Sequence, residues 1–273
     1  MAATLNDGWG EFEKLQSNNA YNIIWAGQGR GGGGKSHFSL TAPDPIAYVL
    51  FDPAGLKGLR DNPLFKEKDV RLLDFSARHN LALGGSRTVT AEADEKKRER
   101  TKVALEMVKL FEESWHLALR KARTIVIDKE DALWEAMRYA HNEDFSAEPK
   151  DYYELNMAYR GLIQQAESAG VNLALLRGVK EAWGKTGTRP NGKPSYGGLG
   201  YDVPRGQKEV TELVQINLEH RWEDASRQFI TKVLEKCRLG NALELLGREF
   251  NNLSFLELAV TLYPDVDMEV WES

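Results

Sequence analysis

The chain of 273 residues is 42% hydrophobic and carries 36 Lys and Arg against 41 Asp and Glu, for a net charge of −5. That apolar content excludes global disorder and supports one large α/β domain, while the acidic balance excludes a surface coated with positive charge, so any nucleic-acid site is a local basic patch. A single cysteine, Cys237, excludes an internal disulfide and a thiolate zinc cluster, and the lack of a long apolar run or a basic-then-apolar leader predicts a soluble, cytoplasmic protein without membrane contact.

Residues 1–20 are polar and mixed and read as an irregular lead-in to a single domain over 21–263. The apolar run Tyr21–Ala26 predicts a buried strand. It leads into Gly29-Arg30-Gly31-Gly32-Gly33-Gly34-Lys35-Ser36, a complete G-x-x-x-x-G-K-S pattern, and then into a helical turn at His37-Phe38-Ser39-Leu40. Strand, glycine loop and helix in that order are the context a phosphate loop requires. Glycines let the backbone curl around a triphosphate with its N–H groups pointing inward. The helix that starts there adds partial positive charge. Gly29 to His37 are thus the candidate nucleotide-binding residues. Within them Lys35 would reach the β- and γ-phosphates and Ser36 would ligate Mg²⁺.

Ile46–Phe51 predicts a second strand, ending at Asp52-Pro53, and Val70–Asp74 a third. Residues 92–121 place Ala104, Met107, Val108, Phe111, Trp115 and Ala118 on one helical face. The run Glu95–Arg100 at its start reads as a solvated face of mixed charge. Thr124–Asp128 is a further strand, and Asp128 closes it in the manner of a Walker B acid that holds Mg²⁺. Glu130 and Asp52 are the candidates for orienting or deprotonating water. Helices are predicted near 132–141 and 150–168, the second with Tyr152, Leu155, Tyr159, Leu162, Ile163 and Ala166 at helical spacing. Val171–Leu176 is another buried strand. Beyond it, Arg177 or Lys180 could stabilise γ-phosphate charge, or each could simply face solvent. Strands alternating with helices predict a mostly parallel sheet covered on both faces.

Residues 184–208 hold seven glycines, three prolines and five Lys or Arg against one Asp. This predicts a mobile basic loop. Lys185, Arg189, Lys193, Arg205 and Lys208 offer contacts to a polynucleotide backbone, while Trp183, Tyr196 and Tyr201 offer stacking faces. A lid over the nucleotide and a plain surface loop are the alternatives. The runs 209–219 and 227–235 read as strands paired antiparallel at the sheet edge. Residues 241–263 have helical character, and 264–273 form an acidic tail.

The glycine loop, Thr41-Ala42-Pro43-Asp44-Pro45-Ile46, Val126-Ile127-Asp128 followed by Ala132-Leu133-Trp134-Glu135, Tyr152-Tyr153-Glu154-Leu155-Asn156, Tyr159-Arg160 and Val179-Lys180-Glu181 occur in that order. This series resembles bacteriophage nucleotide-binding proteins, P-loop ATPases with a RecA-like core that include the Sak-type single-strand annealing proteins. The resemblance spans roughly residues 20–220. It implies a RecA-like α/β fold, ATP and Mg²⁺ binding, and work on single-stranded DNA in phage replication or recombination. It further implies a homo-oligomer with a nucleotide site shared between subunits, and partners among phage replication or recombination proteins. By position, Lys35 and Ser36 take the phosphate-loop roles, Asp128 the Walker B role and Arg177 the strand-end sensor role, and 184–208 lies where such proteins carry a mobile DNA-binding loop. The chain departs from the pattern at Ala54, where a catalytic glutamate is expected, at Lys129 in place of Ser or Thr, and at Ala158 in place of an acid. These departures leave ATP binding intact and point away from fast hydrolysis. The alternative is therefore a nucleotide-dependent switch with little turnover that recruits a replication or packaging partner; for a small-molecule kinase the sequence offers no acceptor-site motif.

Overall fold

The computed structural model describes residues 21–51, 53–78, 94–141, 152–188, 193–234 and 240–272. The lead-in 1–20, Asp52, Arg189 and Cys237 lie outside the described residues. In chain order the elements begin β1 (Ile24–Gln28), α1 (Lys35–Leu40), β2 (Ile46–Leu50), α2 (Pro53–Asp61), α3 (Pro63–Glu67), β3 (Val70–Asp74) and α4 (Asp94–Lys121). They continue with β4 (Thr124–Asp128), α5 (Glu130–His141), α6 (Tyr153–Ser168), β5 (Asn172–Arg177), β6 (Val179–Thr188) and β7 (Pro194–Pro204). The last are α7 (Val210–Leu213), β8 (Ile216–Glu223), β9 (Gln228–Val233), a 3₁₀ segment (Gly240–Leu245), β10 (Glu249–Asn251), α8 (Phe255–Leu262) and α9 (Glu269–Glu272).

Eight strands form one sheet in the order β10-β9-β8-β1-β5-β4-β2-β3. It is parallel from β8 to β3, whereas β8, β9 and β10 pair antiparallel at the other edge. The architecture is thus mixed α/β, with a mostly parallel sheet flanked by helices. Burial explains the sequence pattern. Every residue of β4 and β5 is buried, as an uninterrupted apolar run requires when helices cover both faces. One face packs Ile125, Ile127 and Leu173 against Phe111 and Trp115 of α4, Leu133 of α5 and Tyr159 of α6. The other packs Trp25, Tyr48 and Leu218 against Phe38 of α1, Phe255 and Leu258 of α8, and Trp271. Truncating a ring such as Phe111 or Phe255 to Ala would cost about 3–5 kcal/mol, the transfer term plus the cavity term. The α4 stripe expected from spacing is the one that faces this core, with Ala104, Met107, Phe111 and Trp115 buried.

Three expectations are corrected. Residues 184–208 form most of a two-stranded antiparallel ribbon, β6 with β7, instead of an irregular loop. Glycine there serves close cross-strand packing: a Cβ on Gly198 would collide with the Glu181 carboxylate, and one on Gly184 would lie 2.8 Å from Leu199 Cδ1. Register shifts between Glu181 and Trp183 and between Lys185 and Gly187 absorb the uneven spacing. The strand expected from 209 begins at Ile216, because Val210–Leu213 makes a helical turn that buries Val210. The helical stretch over 241–263 is divided by β10. Its last helix, α8, starts where Ser254 Oγ accepts from Glu257 N (3.2 Å) and the Glu257 carboxylate accepts from Ser254 N (2.8 Å).

Register aligns Gln28 with Arg177 and sets Asp128 beside both Leu176 and Leu50. The ends of β1, β4 and β5 therefore open onto one crevice, where ligands of parallel α/β sheets bind.

Candidate functional site

The glycine loop leaves β1 and turns into α1. Gly29, Gly32 and Gly34 have φ of +149°, +77° and +97°, a region that side chains with a Cβ rarely occupy. The loop is seated on β8 and β9. A Cβ on Gly29 would collide with the His220 carbonyl, one on Gly33 would lie 2.7 Å from that oxygen, and one on Gly34 would lie 2.5 Å from the Phe229 ring. Positions 31 and 32 meet nothing within 4 Å, so the loop is packed on one side and open on the other.

The loop borders a cavity of about 410 Å³ that Lys35, Ser36, Asp128, Lys129, Arg177 and Gly178 also line. Lys35 Nζ donates to the carbonyls of Gly29 (2.8 Å) and Arg30 (2.9 Å) and so bridges the loop's first residues. Burial lowers its pKa, and the Asp128 and Asp131 charges oppose that shift. Ser36 Oγ donates to Asp128 Oδ2 (3.0 Å), which also accepts from the Tyr48 hydroxyl (2.6 Å). Tyr48 is fully buried, and its pKa is raised by burial first and the Asp128 charge second. Ser36 and Asp128 are hard oxygen donors on adjoining elements, the type of ligand that suits Mg²⁺ when phosphate oxygens and waters complete the octahedron. Among the described residues no cluster of three or more His, Cys, Asp or Glu side chains has metal-binding geometry.

Leu40, Gly58, Leu59, Asn62 and Phe229 also line the cavity. His37 lies against Phe229 with centroids 5.1 Å apart, and its Nδ1 is 3.4 Å from Asn62 Nδ2. Arg30 extends outward instead, with Nε 3.0 Å from Asp202 Oδ2 on β7.

Of the two sequence candidates for a water-activating acid, Asp52 lies outside the described residues and Glu130 does not line the cavity. Glu130 is fully buried: its Oε1 accepts from the Tyr159 hydroxyl (2.7 Å) and from Gln207 N (3.3 Å), and its Oε2 lies 3.3 Å from Arg177 Nε. Burial raises its pKa to about 7 against the opposing pull of Arg177. Arg177 also donates from Nε to Arg205 O (2.8 Å) and from Nη2 to Gln207 O (3.0 Å), while its Nη1 is buried without a partner. Lys180 is exposed on β6 and is not a cavity residue.

On the ribbon, Trp183 faces Gly198 and Lys185 faces Tyr196 in unbroken register. Directly opposed and alternate residues share a face, so Trp183, Lys185 and Tyr196 stand together. Trp183 and Tyr196 are 72% and 57% exposed. Tyr201 is exposed within the irregular stretch of β7, Lys193 is exposed at the ribbon tip, and exposed Arg205 lies at the ribbon base, where its N–H donates to Gly178 O (2.9 Å).

Sequence reading missed three contributors. Tyr48 resembles any core tyrosine in an apolar strand. His220 lies beneath the loop, with Nδ1 3.1 Å from Thr231 Oγ1 and Nε2 unpartnered; burial first, and the Lys35 charge second, push its pKa down to about 3. Phe229 is 195 positions from Gly34, and only the β8–β9 pairing brings it there. Lys129 holds φ of +66°, a strained value for a side chain with a Cβ, between Asp128 and α5. No protein-family model matches the chain, and no curated protein matches it.

Proposed function

We propose that the chain is a phage-type, RecA-like P-loop ATPase that binds ATP with Mg²⁺ and couples it to contact with single-stranded DNA as a homo-oligomer. The carrying observation is the grouping of Lys35, Ser36 and Asp128 around the open side of the glycine loop, at the carboxyl ends of parallel strands. Lys35 is held by two carbonyls that a polyphosphate would replace as partners of its ammonium. Ser36 and Asp128 would hold the metal, which supplies charge neutralisation to the phosphates. The His37 and Phe229 rings on the cavity wall suit a flat heterocycle. The open side of the loop leaves room for a neighbouring copy. The ribbon face of Trp183, Lys185 and Tyr196 combines stacking surfaces with a cation, the pairing that sequence-tolerant binding of single strands uses.

Two observations favour the switch reading, in which ATP is held with little turnover. Glu130 is engaged in a buried ion pair, and Ala54 stands where an acid is expected.

Calorimetric titration with ATP and Mg²⁺ is expected to give saturable heat, which Lys35→Ala abolishes. Tripolyphosphate should bind as well, because the loop grips phosphates. No heat from either ligand would sink the reading. Turnover that rises with single-stranded DNA supports the ATPase, and tight binding with flat turnover supports the switch. Replacing Lys185 and Lys193 by Ala should reduce the salt slope of DNA binding by about one each.

A further inference from the structure

Charge on the cavity wall is uneven, and one of its cations has no role described above. The charged residues that line the cavity are Lys35, Asp128, Lys129 and Arg177, three cations against one acid. Arg177 is committed to Glu130 and to the carbonyls of Arg205 and Gln207. Lys35 is held by the glycine loop. Lys129 follows Asp128 directly, one residue past the pairing of Asp128 with Leu50 and Leu176, so it overhangs the crevice at the carboxyl ends of the strands. It is half-buried. The sheet order β1-β5-β4 brings Lys35 in from one side and Lys129 from the other. The two charges are close enough to interact: the Lys35 pKa is lowered by burial first and also by the Lys129 ammonium.

Backbone conformation sets this lysine apart. Among the described residues, those besides glycine with a left-handed φ are Lys129, Arg227 and Asn252. Asparagine tolerates that region through its short polar side chain. Arg227 lies in the exposed turn between β8 and β9. Of these, Lys129 is the one that borders the cavity. Its backbone is pinned, because its carbonyl accepts from Ala132 N (2.9 Å) and Leu133 N (3.4 Å) where α5 begins. Glycine would make the same turn without steric cost, but would carry no ammonium. Strain kept at a crevice of this kind points to a use for the side chain.

We propose that Lys129 is a second phosphate-gripping cation, which pairs with the terminal phosphoryl group of a nucleoside triphosphate and so distinguishes the triphosphate from the diphosphate. The inference rests on the nucleotide reading above and adds a residue to it. Two neighbouring ammonium groups repel each other, and a terminal phosphate placed between them turns that repulsion into two attractions. A diphosphate held by the loop ends short of Lys129 and gains nothing from it. The cavity then reports which nucleotide it holds, as a switch requires.

Calorimetry on the full chain with Mg²⁺ and either ADP or the β,γ-imido analogue of ATP, which is not turned over, tests this. Lys129→Met removes the charge at similar length. It is expected to weaken the analogue by about tenfold, the worth of one charge-assisted hydrogen bond, and to leave ADP within about twofold of the wild type. Lys129→Arg keeps the charge and should hold the analogue within about threefold of the wild type. Lys129→Gly should lose the analogue as Lys129→Met does, while its thermal midpoint without nucleotide rises by about 2 °C, because the strain is gone. Equal losses for the analogue and ADP, or no loss for either, overturn the assignment. A glycine variant that melts below the wild type overturns it too, since the side chain would then be a structural prop. Wild-type protein that binds neither nucleotide defeats the nucleotide reading and this inference with it, whereas a failure confined to the variants leaves that reading standing.

Discussion

Two carboxylate–guanidinium pairs fasten the β6–β7 ribbon to the cavity end of the sheet, and their surroundings are opposite. Glu130 and Arg177 are 0% and 1% exposed, and Arg177 grips the carbonyls of Arg205 and Gln207 where the chain leaves the ribbon. Arg30 and Asp202 are 82% and 29% exposed, and join the glycine loop to β7. The chemical groups are the same, yet the buried pair is a fixed clamp and the exposed one an exchangeable contact. Removing one partner of a buried pair strands the other without water, whereas an exposed charge is at once rehydrated. Arg177→Ala is therefore expected to lower unfolding free energy in urea by about 3–5 kcal/mol. Replacing Arg177 by Met and Glu130 by Leu together should restore most of that loss, since no charge is then left buried. A single substitution as mild as a surface change would show that the clamp reading is wrong.

His220 extends the contrast to pH. Its native pKa near 3 lies below the ordinary value of 6.5, so the unfolded chain takes up a proton that the native state refuses. A depressed pKa of this kind contributes stability that is present above 6.5 and is lost as pH falls toward 3. Between pH 7 and pH 5 the loss is about 2 kcal/mol. Thermal or urea unfolding across that window should show this loss for the wild type, and His220→Gln should remove it. Glu130 slopes the other way, because its native pKa is raised: its contribution is full below the ordinary 4.5 and declines as pH rises toward 7. The difference between wild type and His220→Gln isolates the histidine. An unchanged slope in the variant would mean that the ring is not held neutral beneath the loop.

What was readable in the sequence follows the same division between local and distant causes. Val70–Asp74 and Thr124–Asp128 stand as strands at the expected bounds, because an apolar run between turn residues is a local signal. Lys35, Ser36 and Asp128 were recognisable because short motifs encode their positions. Tyr48 and His220 were not, since their roles arise from strand pairing across the sheet. The ribbon was misread for a physical reason: glycines usually mark loops, but here they make room for Glu181 and Leu199 across a strand pair. Glu130 has the spacing from Asp128 that a catalytic acid shows, while its burial against Tyr159 and Gln207 arises from distant parts of the chain that no spacing reveals.

The exposed pair gives the smallest and most specific effect. Arg30 belongs to the glycine loop, and Asp202 lies opposite Glu181 in the ribbon register. The Asp202 hydrogen bond and charge raise the Arg30 pKa, with a smaller contribution from Glu181. Solvent screens the pair, so Asp202→Asn should leave the thermal midpoint unchanged. A bound polyphosphate offers Arg30 a competing acceptor of higher charge, and the contact to Asp202 must be given up for it. Releasing that contact in advance should tighten ATP binding by about fivefold, the low end of typical coupling energies. Linkage then demands the reciprocal: ATP should alter the affinity of the ribbon for single-stranded DNA less in Asp202→Asn than in the wild type. Titrations of ATP with and without DNA in both proteins read this directly. Equal ATP affinities would show that nothing at the ribbon's exposed edge senses the nucleotide.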